Sequence, residues 1–124
     1  MNSRKTRSFR PTANATLSTT ARSGLTALCK AISKPAAAFN VTINNLLPER
    51  FDTDRQAGMA ELRSKLGGVT IEQAYEEMKS SIAAGRLGRP EEFGDACAFL
   101  CSAQAGFISG QNRQLDGGSY DGLV

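Results

Sequence analysis

The residue types that do chemistry are thinly represented in this chain. Its 124 residues include no histidine, which removes the commonest metal ligand and the usual general base near neutral pH. Three cysteines, with no histidine and no CxxC pair, do not make a zinc site. Cys97 and Cys101 lie four apart, on one face of any helix that carries them. A redox pair is one reading of that spacing; two buried or half-buried small apolar side chains is the favoured one. The Cα separation across one helical turn also makes a relaxed disulfide awkward. Tyr75 falls on an apolar stripe and reads as core or lid packing rather than as an acid or base. The bases Arg4, Lys5, Arg7, Arg10 and Arg22 have no acid among them through residue 22. That segment carries +5, so the rest of the chain carries −2 of the net +3. Such an arm can touch nucleic acid, address an organelle or end in solvent. Before Leu17 only Met1 and Phe9 are large and apolar, and Pro11 intervenes, so a solvated end is favoured. Without aromatics interleaved among the charges, nucleic acid ranks last.

The elements that must position any site are legible from periodicity. Leu25, Leu28, Cys29 and Ile32 repeat at i, i+3, i+4, i+7, a helix with one buried stripe. Lys34-Pro35 is expected to kink or end that helix, with Asn40 suited to the left-handed residue beyond it. Residues 41–47 read as a strand stopping at Pro48. Thr70 and Gln73 have capping-box spacing, ahead of a helical face of Ile71, Ala74, Tyr75, Met78 and Ile82. Pro90 suits a first helical position, and Glu91 and Glu92 suit the positive end of the helix dipole. Phe93, Ala96, Cys97 and Leu100 form the stripe that follows. A last strand over residues 112–115 ends at Asp116-Gly117-Gly118. Two strands separated by so many helical residues predict a parallel α/β sheet, and two strands are too few for a complete doubly wound one. At 40% hydrophobic residues the composition is that of one globular domain. No apolar run approaches the roughly 20 residues of a membrane span. The odd cysteine count and the lack of a leader-like apolar core predict a reducing, cytoplasmic setting.

Three stretches carry a family resemblance: VTINNLLPERFDTD (residues 41–54), GRLGRPEEF (85–93) and AFLCSAQAGFISGQNRQLDGG (98–118). They resemble the C-terminal half of the short-chain dehydrogenase/reductases, in particular the 3-oxoacyl carrier-protein reductases. Each stretch alone could be a capped helix start or a turn; together, in order and at the family's spacing, they carry the resemblance from about Thr16 to Gly118. It implies an α/β fold, the C-terminal half of a Rossmann-type doubly wound parallel sheet over residues 16–124, behind a basic arm of residues 1–15. The cofactor implied is NAD or NADP.

The resemblance also assigns residues. Ser18 falls at the family's catalytic Tyr position and Arg22 at its Lys position. A serine hydroxyl cannot be tuned towards neutrality as a phenol can, and a guanidinium cannot deprotonate to relay a proton. The family's catalytic Ser belongs upstream, where Ser3 and Ser8 are the only serines, and neither aligns. Pro48, Glu49, Phe51 and Thr53 fall on the nicotinamide side, with Glu49 placing a carboxylate where the family has glycine. A turn with Thr53 capping the next helix is the structural alternative. No glycine-rich strand–turn–helix exists in the chain; Gly67-Gly68 is too short for one. The expectation is a truncated reductase-family oxidoreductase, inactive alone and a poor cofactor binder. The alternative is a non-catalytic interaction module that pairs with itself or with an intact relative. In the family, the helix matching residues 22–38 and the last strand build oligomer interfaces. No metal, membrane or nucleic-acid partner is expected.

Overall fold

A computed structural model describes residues 13–122, with side chains described from residue 16 onward. The order is α1 (Ala13–Ala37), β1 (Asn45–Pro48), α2 (Asp54–Gly67), α3 (Ile71–Ser80), α4 (Pro90–Leu100) and β2 (Asn112–Leu115), with a short 3-10 turn at Ala103–Ala105. The strands are parallel neighbours, Asn45 opposite Asn112 and Pro48 opposite Leu115. The three helices between them form the crossover that a parallel pair requires. Of the basic arm, residues 1–12 lie outside the described residues.

Two boundaries differ from the sequence reading. α1 does not end at Lys34-Pro35; it carries Pro35 inside its last turn and stops at Ala37. There a missing N–H breaks only one of the helix's final bonds. Asn40 then takes the expected left-handed conformation, φ 57°. The strand expected over residues 41–47 forms only as Asn45–Pro48. Upstream of it, one backbone bond, Gly110 N to the Ile43 carbonyl (2.7 Å), is joined by side-chain bonds in place of a regular ladder. Ile43 N donates to Ser109 Oγ (3.2 Å), Asn44 Nδ2 to the Ile108 carbonyl (2.8 Å), and Gln111 N to Asn44 Oδ1 (3.1 Å).

Local chemistry fixes the helix starts. Thr70 and Gln73 form the reciprocal capping box, at 3.1 and 2.9 Å. Pro90 opens α4, and Glu92 accepts from the Arg89 amide (2.8 Å) while Arg86 grips its carboxylate with two bonds of 2.8 and 2.7 Å. That bidentate hydrogen bonding, seconded by the Arg89 amide, lowers the Glu92 carboxyl to about 2. A carboxyl depressed in the folded state stabilises above its unfolded value and loses that contribution as pH falls toward 2. The melting-temperature gap between wild type and Glu92→Gln should therefore close steadily from about pH 5 to pH 2. A gap that stays constant over that range would show that the pair is not linked to folding.

The buried core is small. Ala60 from α2, Ala74 and Met78 from α3, and Ile82 and Leu87 beyond them make one cluster, with Val69 and Tyr75 packed against it. The alanines let α2 and α3 approach closely, and Tyr75 is the packing residue its stripe predicted. The α1 stripe has no such cover: Leu25, Leu28 and Ile32 are 58%, 56% and 44% exposed. No residue of α4 is buried, and Cys97 and Cys101 are both exposed, against the expectation of buried or half-buried thiols. Leu25 of α1 and Cys97, Leu100 and Cys101 of α4 line open hollows rather than a packed layer.

Two close approaches fix β2. Gly110, at φ 69°, lets the loop before β2 meet α1; an added Cβ would stand 2.6 Å from Ser33 Oγ and 3.2 Å from Lys30 Nζ. Lys30 donates to the Gly110 carbonyl at 2.9 Å. After β2 the Asp116 carboxylate accepts from Gly118 N (3.0 Å) and Tyr120 N (2.9 Å), closing the turn.

Candidate functional site

Ligands of parallel sheets bind beyond the carboxyl ends of the strands, and β1 ends there on Pro48 and the Glu49–Thr53 segment. An open hollow of about 720 Å³ lies at this end. Its lining joins Arg22 of α1 to Pro48, Glu49, Phe51 and Thr53, so five of the six residues singled out from sequence meet at one place. Ser18, one turn before Arg22 on α1, is exposed and does not line the hollow.

Backbone pairing sets the floor. Gly88 N donates to the Arg50 carbonyl (2.9 Å), and Asp52 N donates to the Gly88 carbonyl (2.8 Å), an isolated parallel bridge centred on Phe51. Phe51's own N–H and C=O are therefore turned away from Gly88. The Phe51 ring covers Gly88, where any Cβ would come within 2.8 Å of it, and packs edge-on against Phe93 at 5.9 Å. Thr53 occupies the N-cap of α2 yet makes no side-chain cap bond; its hydroxyl donates to the Phe51 carbonyl at 3.3 Å. The capping role is thus not what Thr53 performs.

The carboxylate that Glu49 places here does not set the charge of the hollow. Glu49 pairs with Arg50 Nε at 3.5 Å. Arg22 and Arg55 line the same space, giving three guanidiniums against one carboxylate. The surroundings therefore favour an anion. Arg50 also bonds the Met78 carbonyl (3.3 Å) and the Ser81 hydroxyl, tying the exit of β1 to the end of α3. Sequence reasoning missed Arg50 and the Asn44 clamp. A single arginine or asparagine has no spacing partner, and no periodic signal could have marked either one.

These residues fit the nicotinamide end of a dinucleotide. The outward amide and carbonyl of Phe51 offer the donor and acceptor that a carboxamide needs, the Thr53 hydroxyl stands beside them, and the cationic rim suits phosphates. Among the described residues no glycine-rich strand–turn–helix supplies an amide cradle for a pyrophosphate. No group of three or more His, Cys, Asp or Glu able to hold a metal occurs among them, and none of their helices is long and apolar enough to cross a membrane.

The family profile described as enoyl-(acyl carrier protein) reductase matches residues 2–120. The chain is 36% identical over 94 residues to the NADPH-dependent reductase BacG of Bacillus subtilis, covering 76% of this chain and 36% of that protein. It is 34% identical over 101 residues to the 3-oxoacyl-(acyl-carrier-protein) reductase FabG of Aquifex aeolicus, covering 82% of this chain and again 36% of the relative. Its fold superimposes with a TM-score of 0.81, at 33% identity, on YwfH, an NADPH-dependent reductase involved in bacilysin biosynthesis; 92% of this chain covers 43% of that one. The aldohexose dehydrogenase of Thermoplasma acidophilum gives a TM-score of 0.76 at 31% identity, with 88% of this chain covering 42% of that structure. The chain thus spans 36% of the length of these curated relatives. Profile, sequence relatives and fold agree: the chain belongs to the short-chain dehydrogenase/reductase family.

Proposed function

We propose that these 124 residues carry the nicotinamide-side portion of a reductase site and, as a separate polypeptide, turn over no carbonyl substrate. The observation behind this reading is the meeting of Arg22 with Pro48, Glu49, Phe51 and Thr53 in one cationic hollow while Ser18 stands outside it. NADPH is the dinucleotide favoured by the names of the relatives. When bound, it supplies hydride to a carbonyl carbon. This chain's part is to hold and orient: Phe51 and Thr53 at the carboxamide, and Arg22 at a ribose or carbonyl oxygen. The proton is where the chain falls short. A guanidinium cannot relay a proton, and a serine hydroxyl is too weak an acid to donate one near neutrality. Loss of positioned general acid catalysis costs about 10²–10⁴ in rate, and a missing phosphate cradle compounds it.

The test is NADPH and NADH oxidation by the 124-residue chain with ketones and 3-oxoacyl thioesters, beside Arg22→Ala. Rates at the no-protein background are expected for both. Turnover that disappears in Arg22→Ala would overturn the reading and make Arg22 a functional residue. The exposed α1 stripe favours a second reading, a non-catalytic module whose role is association. NADPH titration tests the first reading and gel filtration with light scattering the second: dinucleotide binding supports the first, and association with no binding the second.

A further inference from the structure

We infer that Arg50 is a positioning residue for the nicotinamide-side hollow: it holds the Glu49 carboxylate away from Arg22, so that the cations of the hollow stay free for an anionic ligand. This rests on the reading of the chain as a nicotinamide-side portion. Glu49 cannot move off by its backbone, because its amide donates to the Leu115 carbonyl at 3.1 Å. Only its side chain can change partner. It lines two hollows, one shared with Arg22 and Arg55 and the other with Ser81. Arg50 decides between them. Its Nη1 donates to the Met78 carbonyl at 3.3 Å and to the Ser81 hydroxyl, both at the end of α3, while its Nε meets Glu49 Oε1 at 3.5 Å. The guanidinium is anchored on the α3 side, and the carboxylate paired with it is drawn the same way.

The remaining charges show what that restraint prevents. Among the described residues no carboxylate pairs with Arg22 or Arg55. Without Arg50 these two would be the cations left to Glu49 in its hollow. A carboxylate seated on Arg22 would cancel its charge and put an anion where a ribose or carbonyl oxygen belongs. Glycine, which the family resemblance expects at this position, needs no such restraint; the Glu49–Arg50 pair is this chain's substitute for it. Pairing and simple charge counting differ in a measurable way. Counted as separate charges, Glu49 has the same effect whether or not Arg50 is present, whereas pairing makes the effect depend on Arg50.

The test is a double-mutant cycle on the full 124-residue chain, with Glu49→Gln, Arg50→Gln and the double variant, read by NADPH titration of the Phe51 and Thr53 amide resonances. Arg50→Gln is expected to weaken binding about threefold or more, and adding Glu49→Gln to recover most of the loss. The gain from Glu49→Gln should thus be at least about threefold larger in the Arg50→Gln background than in wild type, the scale on which partly exposed ion pairs couple. Equal gains in the two backgrounds would overturn the inference. So would a double variant as weak as Arg50→Gln, which is what a purely structural anchor predicts. The same cycle, read through relaxation of the same amides by an anionic nitroxide, needs no dinucleotide site. If NADPH shifts nothing in wild type while the nitroxide cycle is non-additive, the nicotinamide-side reading fails and the restraint of Glu49 stands. An additive nitroxide cycle ends the inference whatever NADPH does. If Arg50→Gln does not fold, Ser81→Ala takes its place in the cycle, loosening the anchor while leaving the charge, with coupling of the same sign expected.

Discussion

Replacing Gly117 with alanine is expected to destabilise the fold by about 2–4 kcal/mol, combining backbone strain with overpacking. Gly117 sits at φ 62°, in the left-handed region that L side chains avoid. Its added Cβ would stand 2.7 Å from Ile82 Cγ2 and 3.2 Å from Ala84 Cβ. Ile82 belongs to the buried cluster and cannot move freely, and the Gly117 carbonyl accepts from Ala84 N at 2.9 Å, so the backbone cannot back away either. Gly118 supplies the control. It has φ 82°, but its Cβ would meet only Ala83 at 3.4 Å, an ordinary contact. Gly118→Ala should therefore cost the strain alone, roughly 1–2 kcal/mol. Urea midpoints at unchanged slope give both values. Equal losses at the two positions would show that packing against Ile82 is not what demands glycine.

Truncating Met78 to alanine should cost about 2–5 kcal/mol, a large part of what so small a core can supply. Met78 is 4% exposed and is the longest side chain in a cluster otherwise made of two alanines, Ile82 and Leu87. Its carbonyl accepts from Arg50 Nη1 and Ser81 Oγ, and the substitution leaves those bonds in place, so the loss isolates packing. Met78→Leu, which nearly conserves volume, should stay within about 1.5 kcal/mol. Because α2 carries Gln56 and Met59 into the hollow, Met78→Ala should also speed proteolysis within α2. Normal stability in Met78→Ala would mean that the cluster does not hold α2 and α3 together.

What could be read in the sequence was whatever repeats or caps. The Thr70–Gln73 box, Pro90 at the start of α4 and Asn40 beyond α1 rest on local rules, and the parallel pairing of residues 112–115 with β1 on the rule for helical crossovers; all hold. The rest depended on partners distant in sequence. β1 is shorter than its β-branched start suggested because Ser109 and Asn44, 66 and 64 residues from their respective partners Ile43 and Ile108, take over its hydrogen bonds. The stripes of α1 and α4 mark which faces seek cover, but periodicity cannot say whether cover is present, and Cys97 and Cys101, expected buried or half-buried, are exposed. Of the site, five of six residues converge; Ser18 does not, because the family alignment fixes its helical turn but not what that turn overlooks.

Pro48, the last residue of β1, lies two positions beyond Leu46 and so on the same outward side of the strand. Having no N–H, it leaves β1 a single backbone donor on its free edge. A strand that met this edge would find one donor and the Leu46 and Pro48 carbonyls as acceptors, an interrupted ladder less able to propagate from copy to copy. Proline here acts as a gatekeeper against fibrillar growth, so that an exposed and apolar edge is still a poor seed for cross-β aggregation.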